Sequence, residues 1–407
     1  MIGMSAVIGY FEMLHLIDVS RFNLIYTIWI DRVICCFKRS ITSKGFAVMS
    51  DKVFDFLVFI GRFQPFHLGH LSVVRAGLHQ AKHLIVLCGS AHQPRTTRNP
   101  WTFQERESMI RGSTRDVDQD RLHVLPLMDI MYNDESWVRN VQSTVNGIVT
   151  SRHGVPHRSP KIGLIGHSKD ESSFYLNLFP QWDSVNVENC QGISATAVRE
   201  KILNGEVNNQ RNGVDNSTLN QSEVLTLLPA AVQEAVEIFS ASESFCDVKQ
   251  EYEFIAKYKK SWSVAPYTPT FVTVDAIVVQ SGHVLMVERK ARPGKGLLAL
   301  PGGFVDGQET LMNACIRELR EETRLKIPVP VLKGSVKSQH VFDDPYRSSR
   351  GRTITHAFYI ELEPSKELPR VKGGDDAKYA MWVPLADLDP ARIYEDHYFI
   401  IQYMTGL

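Results

Sequence analysis

His67 and His70 stand three residues apart at the end of the string Gly61-Arg62-Phe63-Gln64-Pro65-Phe66-His67-Leu68-Gly69-His70. Imidazoles at that spacing fall on one side of a first helical turn, where both can donate to phosphate oxygens. Gly69 between them lets a backbone or ligand approach closely. Further along, Ile193-Ser194-Ala195-Thr196-Ala197-Val198-Arg199 reads as a helix N-terminus with two hydroxyl residues and a cation one turn further in. Unpaired N–H groups and the helix dipole make such a terminus suited to phosphate. A second group has the opposite sign. Glu318, Glu321 and Glu322 are spaced i, i+3 and i+4, so three carboxylates gather on one helix face. They repel one another unless cations neutralise them, and hard Mg²⁺ or Mn²⁺ suits carboxylates and substrate phosphates. Ions held there can activate water and stabilise a leaving diphosphate. Arg317 is placed to orient one of the glutamates. On the opposite face Leu311, Ala314, Cys315 and Leu319 can pack inward, which makes Cys315 a core residue.

The elements that must position these groups follow from apolar patterning. Val53–Ile60, His83–Cys88, Arg121–Leu125 and Lys161–Ile165 are runs of strand length, and Gly61 follows the first at once. Helical patterns lie between and after them, at Leu68–Ala81, Phe103–Arg111, Ser136–Val149 and Ser194–Leu203. That alternation predicts an α/β domain with a Rossmann-like parallel sheet and helices on both faces, over residues 52–240. The histidine string then leaves the carboxyl end of the first strand, where open α/β sheets bind ligands. Residues 204–222, rich in asparagine and without aromatics, read as an insertion loop before a helix at Glu223–Phe239. Residues 241–269 read as a linker, a short amphipathic stretch ending in Ala265-Pro266-Tyr267-Thr268-Pro269. From 270 to 407 strands cluster with few helices, as in a separate α+β domain; Phe271–Val279 and Val284–Glu288 join at Ser281-Gly282.

Residues 1–48 are apolar but interrupted by charge, and their longest uncharged run is the eleven residues Met1–Phe11. A spanning helix needs about 18–20, and no basic region precedes an apolar stretch as in a signal peptide. The reading of residues 1–48 is an N-terminal extension, from a mis-called start or as a dispensable appendage, with Met49 opening a fresh segment.

Composition sets bounds on partners. The 407 residues carry 45 Lys+Arg and 45 Asp+Glu, a formal net charge of zero. Polyanion binding needs an excess of cations, so no nucleic-acid partner is expected. None of the six cysteines forms a CxxC pair or zinc spacing, which points to reduced thiols and a cytoplasmic location. No membrane partner is expected, and oligomeric state is left open, a homo-oligomer included.

GRFQPFHLGH followed by ISATAVR resembles the HxGH and ISxTxxR signatures of the nucleotidylyltransferase superfamily, in the form seen in archaeal-type nicotinamide mononucleotide (NMN) adenylyltransferases. The resemblance covers about 52–203 and 223–240. It implies ATP and phosphate contacts from Gly61, Arg62, Phe63, Gln64, His67, His70, Ser194, Thr196 and Arg199, with His67, His70 and Arg199 catalytic. Arg98, in Arg98-Asn99-Pro100-Trp101-Thr102-Phe103, matches the position that brings an arginine to the nucleotide phosphates. Asn133 and Trp137 match those that hydrogen-bond and stack on the nicotinamide, whose charge suits an aromatic face. Gly166-His167-Ser168-Lys169-Asp170 would line the same cleft. The implied reaction joins ATP and NMN into NAD and pyrophosphate; pantetheine phosphate or a flavin nucleotide is the alternative acceptor.

Residues 303–325 are similar to the Nudix box, Gx5Ex7REUxEExGU, at Gly303, Glu309, Arg317, Glu318, Leu319, Glu321, Glu322 and Leu325. Arg324 departs from it, standing where the second glycine would take φ > 0. The resemblance implies a metal site of Glu318, Glu321 and Glu322, with Glu321 and Glu322 catalytic. Pro345–Arg352 and Gly374-Asp375-Asp376-Ala377 with Trp382 resemble the ADP-ribose pyrophosphatases of that superfamily, with Arg352 and Asp376 as contacts. Hydrolysis would release AMP and ribose 5-phosphate. The alternative is a non-catalytic ADP-ribose sensor, against which the intact glutamates argue.

Overall fold

A computed structural model of the chain describes residues 52–153, 159–167, 177–188, 192–204, 221–374 and 376–407. The N-terminal extension, nearly all of the Asn-rich loop, Ser168-Lys169-Asp170 and Asp375 lie outside the described residues. Lys52–Leu407 forms one compact unit. Among the described residues, no helix is long and apolar enough to cross a membrane.

The first half is a five-stranded parallel sheet. Strands β1 (Phe54–Gly61), β2 (Ala81–Cys88), β3 (Leu122–Pro126), β4 (Ile162–Gly166) and β5 (Asp183–Asn186) lie in the order β3-β2-β1-β4-β5. β1 is buried almost throughout, so it reads as a continuous apolar run. Helices α1 (Leu68–Gln80), α2 (Phe103–Ser113) and α3 (Asp134–His153) follow β1, β2 and β3. α1 and α2 contribute to one core, where Phe59, Val74 and Met109 are buried. α3 covers the other face with Val141 and Val145 against Phe56 and Ile85. Strand order reverses between β1 and β4, so the crevice beyond their carboxyl ends is the topological switch point. The histidine string leaves β1 on that side.

β5 escaped the apolar-run reading because Asp183-Ser184-Val185-Asn186 is polar and mostly exposed, as suits an edge strand. After α4 (Ala195–Leu203), the expected single helix 223–239 is two, α5 (Gln221–Thr226) and α6 (Ala230–Ser240). Pro229 stands at the N-cap of α6, and a proline inside a helix would lose a bond and clash with the preceding turn.

The segment expected as a linker is the 19-residue helix α7 (Glu243–Ser261). Ser242 caps it by accepting from Phe245 N–H, and Phe245 and Val248 are buried in the first core. Beyond it stand β6 (Phe271–Gln280), β7 (His283–Arg289), β8 (Leu298–Ala299), β9 (Gly302–Phe304), the Nudix-box helix α8 (Leu311–Thr323), α9 (Val329–Gly334), β10 (Val336–Phe342), β11 (Thr353–Glu361), β12 (Ala377–Pro384) and α10 (His397–Thr405). The path β10-β11-β6-β7-β12, with β8 on β7 and β9 on β6, makes a seven-stranded sheet. β6 and β11 are parallel and the other pairs antiparallel. The β6–β7 turn has positive φ at both Ser281 (49°) and Gly282 (74°), the twist that two-residue hairpins prefer.

The halves are tied together by side chains. Arg292 donates to Gln250 and pairs with Asp247 and Glu251 on α7, and Glu251 accepts Gly294 N–H at 2.7 Å. Tyr132 from the first half packs in the second half's core, its ring centroid 4.8 Å from that of Phe342.

Candidate functional site

The histidine pair builds its own support. His67 is the N-cap of α1, and its Nδ1 accepts His70 N–H while His70 Nδ1 accepts His67 N–H, both at 3.3 Å. The rings stack with centroids 3.6 Å apart. A neutral imidazole accepting at Nδ1 carries its proton on Nε2, so both rings present an Nε2–H donor. Gly61 is required, because a Cβ there would meet the Phe63 ring at 2.8 Å.

Three arginines gather beyond the ends of the strands. Arg199 is buried, donating to Gln64 O at 2.7 Å and Thr196 Oγ1 at 3.1 Å. Burial first, then the charges of Arg62 and Arg98, hold it down at about 10. Arg62 is lowered by desolvation and by Arg98. Arg199 is buried while Arg62 and Arg98 are exposed, and cations that repel one another form a site that an anion stabilises. Arg98 is brought there by a clamped segment. Arg95 pairs with Glu105, Glu105 completes a capping box with Thr102, and Gln64 exchanges two hydrogen bonds with the Trp101 backbone.

Two members of the expected phosphate set take other positions. Gln64 is 1% exposed, and its amide is spent on Trp101, so only its carbonyl serves the site, by holding Arg199. Phe63 is buried among Phe59, Phe66 and His70 as a packing anchor. Ser194 is the N-cap residue of α4 without a side-chain capping bond. Asn133 Oδ1 accepts Ser136 N–H at the start of α3, and Trp137 packs against Phe179 at 5.9 Å. His167 Nδ1 lies 2.6 Å from Val187 O.

Sequence reasoning missed two residues that hold this site together. Arg106 is fully buried and donates to the carbonyls of Arg62, Gly89 and Ser90, joining the ends of β1 and β2. Asp129 accepts from Ser90 N–H and Oγ–H, and its charge acts on Arg62. Arg62, Arg98 and Asp129 line a cavity of about 840 Å³ whose other walls include Arg292, Lys295 and Tyr346.

In the second half, Ala314, Cys315, Ile316 and Leu319 face the core, as the spacing of α8 predicts. Burial pushes the Cys315 thiol far up, consistent with a packing role. Cys88, Cys246 and Cys315 are all unpaired. Arg317 organises the other face, bonding Glu309 through two nitrogens, Glu318 at 2.8 Å and Glu321 at 3.1 Å. Gly303 is required, since a Cβ there would stand 2.5 Å from Glu318 Oε1. Arg324 adopts the left-handed conformation (φ 54°) expected of the glycine it replaces. Gly374 packs against it, where a Cβ would meet Arg324 Nε at 2.6 Å.

Glu322 is 9% exposed and accepts Gly302 N–H at 3.0 Å. Burial pushes its carboxyl up to about 8, and the charges of Glu318 and Asp376 act the same way. A buried carboxylate so short of positive charge, beside two more on the same helix, fits a hard divalent cation. Among the described residues no three His, Cys, Asp or Glu groups already converge on a metal position. Arg317 holds Glu318 and Glu321, while Gly302 holds Glu322.

Glu318, Glu322, Gly303, Asp376, Arg317 and Arg350 share a cavity of about 340 Å³. Glu321 faces a neighbouring hollow with Arg320 and Arg324. Arg352 is not among the cavity's lining residues; its guanidinium is bound to the carbonyl and carboxylate of Asp343. Arg350, two residues earlier, is the arginine at the cavity, 5.0 Å from the centre of the Phe304 ring. Residues two apart on an extended loop point alike only if the loop is regular, and here the chain bends at Gly351 (φ 146°) between them.

Two family models match, a cytidylyltransferase-like domain over residues 58–201 and a NUDIX domain over 269–404. The nicotinamide/nicotinic acid mononucleotide adenylyltransferase of Acinetobacter baylyi is 38% identical over 200 residues, 49% of this chain and 94% of that one. An ADP-ribose pyrophosphatase of Methanocaldococcus jannaschii is 36% identical over 138 residues, 34% of this chain and 75% of that one. A Francisella tularensis crystal structure, described as a bifunctional NMN adenylyltransferase/ADP ribose pyrophosphatase complexed with AMP and a manganese ion, is similar throughout. It is 34% identical, with a TM-score of 0.75, over 87% of this chain and 99% of that one. A second structure of the Francisella protein gives a TM-score of 0.76 at 35% identity. On motifs, fold and extended likeness together, this chain belongs to the family of bifunctional NMN adenylyltransferase/ADP-ribose pyrophosphatases.

Proposed function

We propose that the chain makes NAD and pyrophosphate from ATP and NMN in its first half, and hydrolyses ADP-ribose to AMP and ribose 5-phosphate in its second. The observation that carries this reading is the pairing, in one compact unit, of a stacked histidine pair and three mutually repelling arginines at a sheet switch point with a carboxylate helix facing a separate cavity.

In the first reaction the NMN 5′-phosphate oxygen attacks the α-phosphorus of ATP, and the bond to pyrophosphate breaks. The nucleophile is already ionised, so alignment and charge neutralisation suffice. The Nε2–H groups of His67 and His70 donate to phosphate oxygens, and Arg62, Arg98 and Arg199 offset the charge that passes to the leaving group. Asn133 and Trp137 are proposed to receive the nicotinamide.

Nudix hydrolases require divalent metal, and Glu318, Glu321 and Glu322 would hold it; we propose Mg²⁺. When bound it supplies charge neutralisation to the diphosphate and acidity to a water. Arg317 keeps two of the carboxylates in place and Arg350 meets the substrate's anionic groups. The free thiols support a cytoplasmic setting.

A paired assay on the purified chain tests both halves, with NMN plus ATP and with ADP-ribose plus Mg²⁺. His70→Ala is expected to cut only NAD formation sharply, and Glu322→Gln only AMP release. Preference for pantetheine phosphate over NMN would overturn the first half. Binding of ADP-ribose without metal-dependent AMP release would overturn the second.

A further inference from the structure

The acidic cavity is not built by the Nudix half alone. Two of its lining residues, Phe254 and Tyr258, belong to α7, whose other end is anchored by Phe245 and Val248 in the adenylyltransferase core. Phe254, Tyr258 and Trp262 are spaced i, i+4 and i+8, so they form a stripe along one helix face. Tyr258 and Trp262 rest on Phe271, with ring centroids 5.9 and 5.2 Å away, and Phe271 in turn meets Phe304 at 5.8 Å. Among the described residues Phe254 alone of the three meets no ring, and it stays 37% exposed beside the cavity.

We propose that Phe254, braced by Tyr258, is the stacking platform for the base of the nucleoside diphosphate sugar hydrolysed in this cavity. The inference rests on the hydrolase reading above. The carboxylates of α8 and Arg350 account for the charged middle of such a substrate. The base is its one flat, apolar-faced part, and a ring face gains by stacking where a sugar would not. A base laid on Phe254 would cover the exposed ring and continue the stripe. The helix joining the two halves thereby contributes a specificity-determining residue to the second site.

Binding and turnover of ADP-ribose by the full chain test this, alongside the analogue whose adenine is replaced by hydrogen. Phe254→Ala is expected to weaken ADP-ribose binding, read calorimetrically and as KM, about tenfold. Phe254→Trp is expected to restore it, and the base-free analogue to bind the wild type and Phe254→Ala alike. Unchanged ADP-ribose binding in Phe254→Ala, or equal weakening of both ligands, overturns the proposal. If the wild type binds ADP-ribose without releasing AMP, the hydrolase reading fails while the binding comparison still decides this one. Failure of the wild type to bind ADP-ribose overturns both.

Discussion

The hydroxyl of Tyr132, on the loop before α3, donates to Asp396 Oδ2 of the Nudix half at 2.5 Å across 264 residues of sequence. Asp396 also receives two bonds from Arg347, whose Nη2 lies 4.0 Å from Asp275 in the wall of the acidic cavity. Asp396, Arg347 and Asp275 are buried and Tyr132 is partly so, and burial together with the Asp396 charge drives the Tyr132 phenol far above its ordinary range. The link is a neutral donor on a paired carboxylate, which stabilises without adding a buried charge.

Tyr132→Phe removes only that donor, so the expected loss is about 1.5 kcal/mol of unfolding free energy. Tyr132→Ala also removes the ring from beside Phe342, and a larger loss of about 3 kcal/mol is expected. Urea unfolding followed by tryptophan fluorescence checks both. An unchanged midpoint in Tyr132→Phe would show that the bond contributes nothing.

His70→Ala removes an Nε2–H donor from the phosphate cleft. NAD formation is expected to fall about 10²–10³-fold in kcat, as for loss of one preorganised donor. The same change deletes half of the His67–His70 capping box, at about 1 kcal/mol of stability. Steady-state kinetics with NMN and ATP, together with a thermal melt, separate the two effects. Near-wild-type turnover would refute the role.

Arg350 and Arg352 are to be compared directly. Arg350→Ala is expected to raise KM for ADP-ribose about tenfold or more, the value of a bond to a charged group. Arg352→Ala removes an exposed pair with Asp343, and less than about threefold is expected. The reverse ranking would mean that the loop rearranges when substrate binds.

His397 is buried and accepts Leu300 N–H at Nδ1, 2.9 Å away. Burial holds it down at about 3, against an ordinary value of 6.5. The folded state therefore binds fewer protons than the unfolded chain between those values, and its stability falls as pH drops from 6.5 towards 3. His397→Gln can keep an acceptor but cannot titrate. Its stability deficit relative to wild type, measured in urea, is expected to shrink between pH 7 and pH 5. A constant deficit would exclude His397 as the source.

What the sequence determined by itself is local. The His67–His70 pair, the α8 face with Arg317 among its carboxylates and the left-handed turn at Arg324 each span a few residues. Helical spacing alone decides which of those side chains share a face, so their arrangement is legible in order of sequence. The alternating apolar runs likewise set the parallel sheet, and with it the place of the histidine string beyond β1.

Only the tertiary structure decided what each side chain meets across long separations. Gln64 turned inward because the Trp101 backbone lies against it, and Arg350 rather than Arg352 reached the cavity because the loop between them bends. Arg106 earned no notice as one arginine in a charged helix until three distant carbonyls converged on it. The stretch 241–269 looked like a tether because a short amphipathic segment runs into two prolines, Pro266 and Pro269. Packing on both sides makes it the helix that joins the sites, since burial energy depends on what surrounds a residue, and its neighbours in sequence do not reveal that.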